Sequence, residues 1–252
     1  MPGSVDKISS KEVLKYYQSA MVLDHYQEAT MKVGLWKSEE MIFKSSFSNF
    51  NLSILELGCG TGRISFSMWK LGFKKIVATD FSRKMIGRAQ SINRNLKTHI
   101  VFEKQDATQL SYSDNAFDGL IFGFNGLMQI PKRSNRMKVL EESYRVLRPG
   151  GRFIFTTHDR TFSKWKKFWK IERKKWRMNQ QNPELIEFGD RFEQTEKGKL
   201  FIHVPEIGDV RADLKKCGFV VEQDILRSKV IEESDLVCQY SDECRFWISR
   251  KP

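Results

Sequence analysis

The stretch Ile54-Leu55-Glu56-Leu57-Gly58-Cys59-Gly60-Thr61-Gly62-Arg63 decides the fold. Leu52, Ile54, Leu55 and Leu57 read as a short strand, because a strand covered on both faces is apolar along most of its length. Gly58, Gly60 and Gly62 follow. Glycine is the residue that turns through positive φ and leaves bare backbone for a ligand. Ile64, Phe66, Met68, Trp69 and Leu71 then recur at helical spacing. Strand, tight turn and helix make half of a nucleotide-binding βαβ unit, with unpaired N–H groups at the helix start.

The spacing narrows the ligand. A dinucleotide fingerprint places its third glycine where this chain has Arg63, and here that glycine comes one residue early, at Gly62. Glu56, two places before the first glycine, suits a cationic ligand group better than a pyrophosphate, because opposite charges attract. This E-x-G-x-G-x-G run resembles the first motif of class I S-adenosylmethionine-dependent methyltransferases, in their small-molecule, type 11-like branch. The resemblance implies that Glu56, Gly58, Cys59, Gly60, Gly62 and Arg63 lie along the methionine part of S-adenosylmethionine.

Working outward, Lys74-Lys-Ile-Val-Ala-Thr-Asp80 reads as a second strand ending in a carboxylate. A carboxylate there can accept hydrogen bonds from both hydroxyls of a ribose. Phe81 follows and is placed to lie on an adenine, and Ser82 is a candidate helix cap. His99 to Ala107 gives a third strand, and in the resembling family its terminal Asp106-Ala107 pair holds the adenine. Phe117-Asp-Gly-Leu-Ile-Phe122 is a fourth, central strand, with Phe122 beside the cofactor. A helix over 134–147 ends at Arg148-Pro-Gly-Gly151, and Arg152 to Thr157 is the fifth strand. Towards the C-terminus, Pro205 starts a helix that Gly218 ends, and strands follow at 219–226 and 244–249.

Strands alternating with helices require parallel pairing with right-handed crossovers. The expected fold is therefore α/β: a seven-stranded, mostly parallel Rossmann-like sheet with helices on both faces. The resemblance makes its last strand antiparallel. The expected organisation is one domain over 1–252. Within it, 1–50 is an N-terminal helical flap, 51–157 the cofactor-binding core, 158–204 a basic aromatic insert, and 205–252 the helix and strand pair completing the sheet. In the flap, Val13, Leu14, Tyr17, Met21, Val22, His25 and Tyr26 form a helical stripe, and Ser38 is a candidate cap for a second helix after Trp36.

The chain has 252 residues, 40% hydrophobic, and a net charge of +12. No apolar run reaches membrane-spanning length and no secretory signal is visible. Cys59, Cys217, Cys238 and Cys244 form no C-x-x-C pair, which fits reduced thiols in a cytoplasmic protein without a metal. Within 160–177 there are nine basic residues and one acid, with Phe162, Trp165, Trp169 and Trp176 near one helical face. That segment reads as a packed helix, as a wall of the substrate pocket, or as a surface for RNA or an anionic membrane.

Methyl transfer from a sulfonium is a direct displacement, so positioning carries much of the catalysis and a base helps only a protonated nucleophile. Candidate bases are His158, His203, His25 and Tyr26, and Asn125, Trp36 and His203 are candidate contacts to the acceptor. The expected activity is methylation of an O or N atom of a small molecule. Two alternatives stay open: an RNA or protein methyltransferase recruited through 160–177, and a cofactor-binding module without turnover. A dehydrogenase is disfavoured by Arg63.

Overall fold

The computed structural model describes residues 6–252, so the first five positions of the expected flap lie outside the described residues. The chain opens with α1 (Ser10–Tyr17), α2 (Ala20–Glu28), a π-helical turn (Ala29–Val33) and α3 (Lys37–Ser46). The core then alternates β1 (Ser53–Leu57), α4 (Arg63–Leu71), β2 (Lys75–Asp80), α5 (Arg83–Leu96), β3 (Val101–Lys104), β4 (Phe117–Phe122), α6 (Arg133–Val146) and β5 (Leu147–Thr157). The insert contains α7 (Lys166–Arg177), β6 (Asp190–Thr195) and β7 (Gly198–His203). The chain closes with α8 (Ile207–Lys216), β8 (Val220–Leu226), α9 (Arg227–Val230), α10 (Asp235–Tyr240) and β9 (Arg245–Arg250).

Seven strands form one sheet in the order β3-β2-β1-β4-β5-β9-β8. β1 to β5 pair in parallel, and β9 runs antiparallel to both of its neighbours. This is the sheet expected from the sequence. Alternation along β1 explains why it is buried on both sides: Leu55 and Leu57 join the core beneath α6 and α8, whereas Ile54 joins the core beneath α4 and α5. Glu56 shares the Ile54 side, so a carboxylate is carried into the interior by the period-two pattern.

Local chemistry sets the helix ends. Ser82 caps α5, its hydroxyl accepting the Met85 N–H at 3.3 Å. α3 departs from expectation, because Trp36, not Ser38, stands at its N-cap. The Glu39 carboxylate reaches back to the Trp36 N–H at 3.0 Å and supplies the cap from the third position, while Ser38 is buried in the first turn.

The insert differs most from its expected form. The basic helix is present as α7, and the segment also folds into an antiparallel hairpin, β6–β7, separate from the main sheet. The aromatic face of α7 packs on that hairpin. Trp169 is buried with Met128, Ile202 and Val204, and Trp165 and Phe168 are half-buried around it. The hairpin in turn meets α1, Tyr16 Oη lying 3.4 Å from Thr195 Oγ1. The loop before the hairpin holds the segment ahead of α1 through the Ile8 N–H to the Glu184 carbonyl (2.9 Å). Among the described residues, no helix is long and apolar enough to cross a membrane.

Trp169 therefore holds the helix to the hairpin. Trp169→Ala is expected to cost about 3–5 kcal/mol, the usual range for deleting a buried Trp, lowering the melting temperature by roughly 10 °C. Thermal unfolding followed by circular dichroism checks this, and an unchanged midpoint would contradict the packing role.

Candidate functional site

The carboxyl ends of β1, β2, β3 and β4 border a cleft lined by Gly58, Gly60, Asp80, Phe81, Asp106, Ala107 and Phe122. In open α/β sheets this is where ligands bind, at the point where strand order reverses. Here that point lies between β1 and β4. Its far wall comes from the N-terminal helices, with Val13, Leu14, Tyr17 and Tyr26, and from Ile130 and Pro131 after β4. Seven of the residues expected to hold a cofactor thus share one cavity.

Asp80 is fixed by the glycine turn itself. One carboxylate oxygen accepts the Gly60 N–H at 2.9 Å, and the other accepts the Ser82 N–H at 2.7 Å. Each oxygen keeps a lone pair free for a donor in the cleft. Burial pushes the carboxyl up to about 6, against the opposing effect of those two N–H groups. Asp106 is exposed, and one of its oxygens caps the turn by accepting the Thr108 N–H at 2.9 Å and the Thr108 hydroxyl at 2.7 Å. The glycine turn is built for close approach. Gly60 sits at φ +56°, and a Cβ there would stand 3.0 Å from the Tyr26 ring.

The other expected cofactor residues stand beyond the main cleft. Glu56, Cys59 and Arg63 line a second, smaller recess with His25, Trp36 and Tyr240, which shares Gly58, Tyr26, Gly123 and Phe124 with the main cleft. Gly62 faces neither: a Cβ there would meet Phe66 and Phe102 in the core. Arg63 is buried and fully engaged. Its guanidinium grips Glu39 through two bonds of 2.6 and 2.7 Å, donates to the Gly34 carbonyl at 2.7 Å, and lies over the Trp36 and Phe124 rings. This Arg is a clamp between α3 and the loop, and its distance from the main cleft follows from that pairing. Thr30 and Thr61 add a second link, hydroxyl to hydroxyl at 2.6 Å. Glu56 accepts a hydrogen bond from the Ser65 hydroxyl, and burial pushes its carboxyl up to about 8.

The expected bases and acceptor contacts are scattered. Tyr26 borders both cavities, and burial holds its phenol, like that of Tyr17, above the usual range and so neutral. His25 stacks on Tyr240 at the second recess, with ring centroids 5.0 Å apart. Trp36 is buried under Arg63. His203 belongs to a third recess and bonds Asp190 through Nδ1 at 2.8 Å, away from the cleft. Asp190 and Glu187 bring carboxylates near it, yet Asp190 already accepts two backbone N–H groups and Glu187 accepts from Arg133 and Arg136. His158 Nδ1 lies 2.9 Å from the Glu243 carbonyl, which can only accept, so Nδ1 carries the proton and Nε2 is a free base. Asn125 Nδ2 is 3.4 Å from that Nε2, and burial lowers the His158 pKa, keeping the ring neutral.

Two features escape sequence reading. Glu39, the clamp partner of Arg63, lies in an ordinary helix start and carries no sequence signal of its partner. Phe124 and Asn125 adopt left-handed backbone at φ +50° and +59°, a conformation that is uncommon without glycine and marks a constrained turn at the cleft. The Asn125-Gly126 pair is the one hint of it.

Residues 54–151 match the family model described as a methyltransferase domain. A curated relative, the ubiquinone/menaquinone biosynthesis C-methyltransferase UbiE of Rickettsia prowazekii (strain Madrid E), is 33% identical over 134 residues, 49% of this chain and 51% of that protein. The chain thus spans about half the length of the curated relatives it matches. Among solved structures, an S-adenosylmethionine-dependent methyltransferase of Methanosarcina mazei superposes with a TM-score of 0.66 at 20% identity, covering 86% of this chain and 98% of that one. The [4+2]-cyclase SpnF superposes at 0.69 and 17% identity, over 100% of this chain and 99% of its own. Structures at such identities share the fold alone.

The clamp makes a direct test. Glu39→Ala leaves the Arg63 charge buried and unpaired, and is expected to destabilise the protein by about 3–5 kcal/mol. Urea unfolding measures it. A loss under about 1 kcal/mol, the level of an exposed pair, would contradict the assignment.

Proposed function

We infer that this chain, which carries the methyltransferase domain of the class I S-adenosylmethionine-dependent family, binds S-adenosylmethionine in the main cleft and methylates a small molecule. The observation that supports this best is the Asp80 carboxylate. It is pinned by Gly60 and Ser82 with one lone pair per oxygen turned to the cavity, which suits two neighbouring ribose hydroxyls. The residues present fit the rest of the cofactor. Phe81, Asp106 and Ala107 line the adenine end. Glu56, Gly58 and Cys59 line the recess beyond. There the Glu56 carboxyl, held up to about 8 by burial, can accept a hydrogen bond from an amino group and would be drawn towards its ionised form by a cationic one. When bound, the cofactor supplies an electrophilic methyl on sulfonium.

The chain's own residues then position and shield. Tyr17, Tyr26 and Leu14 exclude water above the cleft, and the Arg63–Glu39 clamp keeps α3 and the loop in register. His158, neutral with Nε2 unprotonated, is not itself in the lining of the main cleft. It adjoins Asn125, between the cleft-lining Phe124 and Gly126, and can take a proton from an acceptor that reaches past this turn and displaces the long Asn125 contact. An acceptor carrying an ionisable hydroxyl on a conjugated ring is nucleophilic at oxygen once deprotonated, and at the adjoining ring carbon as well. Methyl transfer to oxygen or nitrogen was the reading from sequence, and the name of the UbiE relative adds carbon as a third acceptor atom to assay. The apolar lining from Val13, Leu14, Met85, Ile130 and Pro131 suits a largely apolar acceptor.

Isothermal calorimetry tests the cofactor assignment. S-adenosylmethionine and S-adenosylhomocysteine are expected to bind and NAD not to bind, with Asp80→Ala weakening both cofactor forms by about ten-fold or more. Binding of NAD alone would sink the reading. The pH dependence has a definite sign. Ribose donors need the ionised carboxylate, and burial holds Asp80 near 6, so affinity is full above that value. It is expected to fall below it, by up to about ten-fold per pH unit. Affinity that rises on acidification would contradict the ribose role.

Turnover is tested separately, by S-adenosylhomocysteine release over a panel of phenols, quinols and amines. His158→Ala is expected to lower kcat by roughly a hundred-fold while cofactor affinity holds. An unchanged rate would remove His158 from the chemistry.

A further inference from the structure

The basic helix α7 has two different faces. Phe168, Trp169, Glu172 and Trp176 turn towards the hairpin and are buried or half-buried. Lys166, Lys167, Lys170, Lys174 and Arg177 are exposed on the opposite side. At ~100° per residue these five fall within an arc of about 100°. The other cations of the segment are partnered: Lys164 by Asp242, Arg173 by Glu206, Lys175 by Glu172. Among the described residues, none of the five outward cations has an acidic partner. Ile171 and Met178 stand at one edge of the same arc, 48% and 51% exposed.

We propose that this face of α7 docks the protein on an anionic lipid bilayer surface. The five unpaired cations and two exposed apolar side chains on one arc carry the proposal, and it is independent of the methyltransferase reading. Clusters of four to eight Lys and Arg on one side of an amphipathic helix are enough to hold a protein at an acidic headgroup layer. Ile171 and Met178, at the border of the charge, can enter the headgroup region without unfolding the helix. RNA fits this face less well. Single strands are held by cations interleaved with aromatic stacking platforms, and every aromatic side chain of α7 is turned inward.

The test is co-sedimentation of the full chain with vesicles at low salt. The vesicles are phosphatidylcholine alone, or phosphatidylcholine with one-third phosphatidylglycerol, and single-stranded and duplex RNA oligomers serve as competitors. The protein is expected to pellet with the anionic vesicles and not with the neutral ones, and rising salt should release it. The K167Q/K170Q/K174Q variant removes three exposed cations that form no ion pair or side-chain hydrogen bond, so its melting temperature is expected to match the wild type. Its partition onto anionic vesicles should fall about a hundred-fold, at roughly five-fold per cation. No pelleting of the wild type with anionic vesicles, or equal pelleting of the variant, would overturn the proposal. So would RNA that strips the protein from the vesicles at equimolar phosphate, which would assign the face to nucleic acid.

Discussion

The buried ion pair between Arg63 and Glu39 is the constraint on which the rest depends. Arg63 opens the helix after the glycine turn, and Glu39 caps a helix that lies before the sheet in sequence. Neither charge could stay buried alone, since each would forfeit its hydration without compensation. Together they tie the N-terminal helices to the turn that carries Gly58 and Gly60. The Gly34 carbonyl and the Thr30–Thr61 contact reinforce the same joint. The wall of the cleft is therefore attached to its floor at the glycine turn, and the cleft's shape follows from that attachment.

The floor and the roof have different origins. The floor is the carboxyl edge of a parallel sheet, rigid because both faces of every central strand are packed. The roof is assembled from segments distant in sequence, α1 and α2 together with Ile130 and Pro131 after β4, and α1 leans in turn on the hairpin β6–β7 through Tyr16 and Thr195. Those contacts are few and partly exposed, whereas the joint at Arg63 is buried and bidentate. The joint is therefore the firmer of the two attachments of the N-terminal helices.

The floor was legible in the sequence because its signals are local. Glycine spacing, a carboxylate at the end of a strand and period-two burial each act over a few residues, and Asp80, Asp106 and Gly60 lie where those signals place them. The roof was less legible because its contacts are long-range. The family resemblance of the glycine run makes Arg63 an expected cofactor contact, while its partner Glu39 lies in a helix that gives no sign of the pairing. His203 reads as a candidate base from its position in the chain, yet the register of β7 against β6 sets it beside Asp190 in another recess. The hairpin leaves only a slight trace in the sequence, Gly198, at φ +120°, standing between Phe192 and the apolar Leu200-Phe201-Ile202 run.

A crystal structure with S-adenosylhomocysteine bound tests the account most directly, because it asks whether one cleft serves ribose, adenine and roof together. The expected result has both ribose hydroxyls on the Asp80 carboxylate and the adenine between Phe81 and Ala107. Tyr17 and Tyr26 should lie over the nucleoside, with the Arg63–Glu39 pair intact. Ligand seated outside the cleft, or a ribose that leaves Asp80 unpaired, would contradict it.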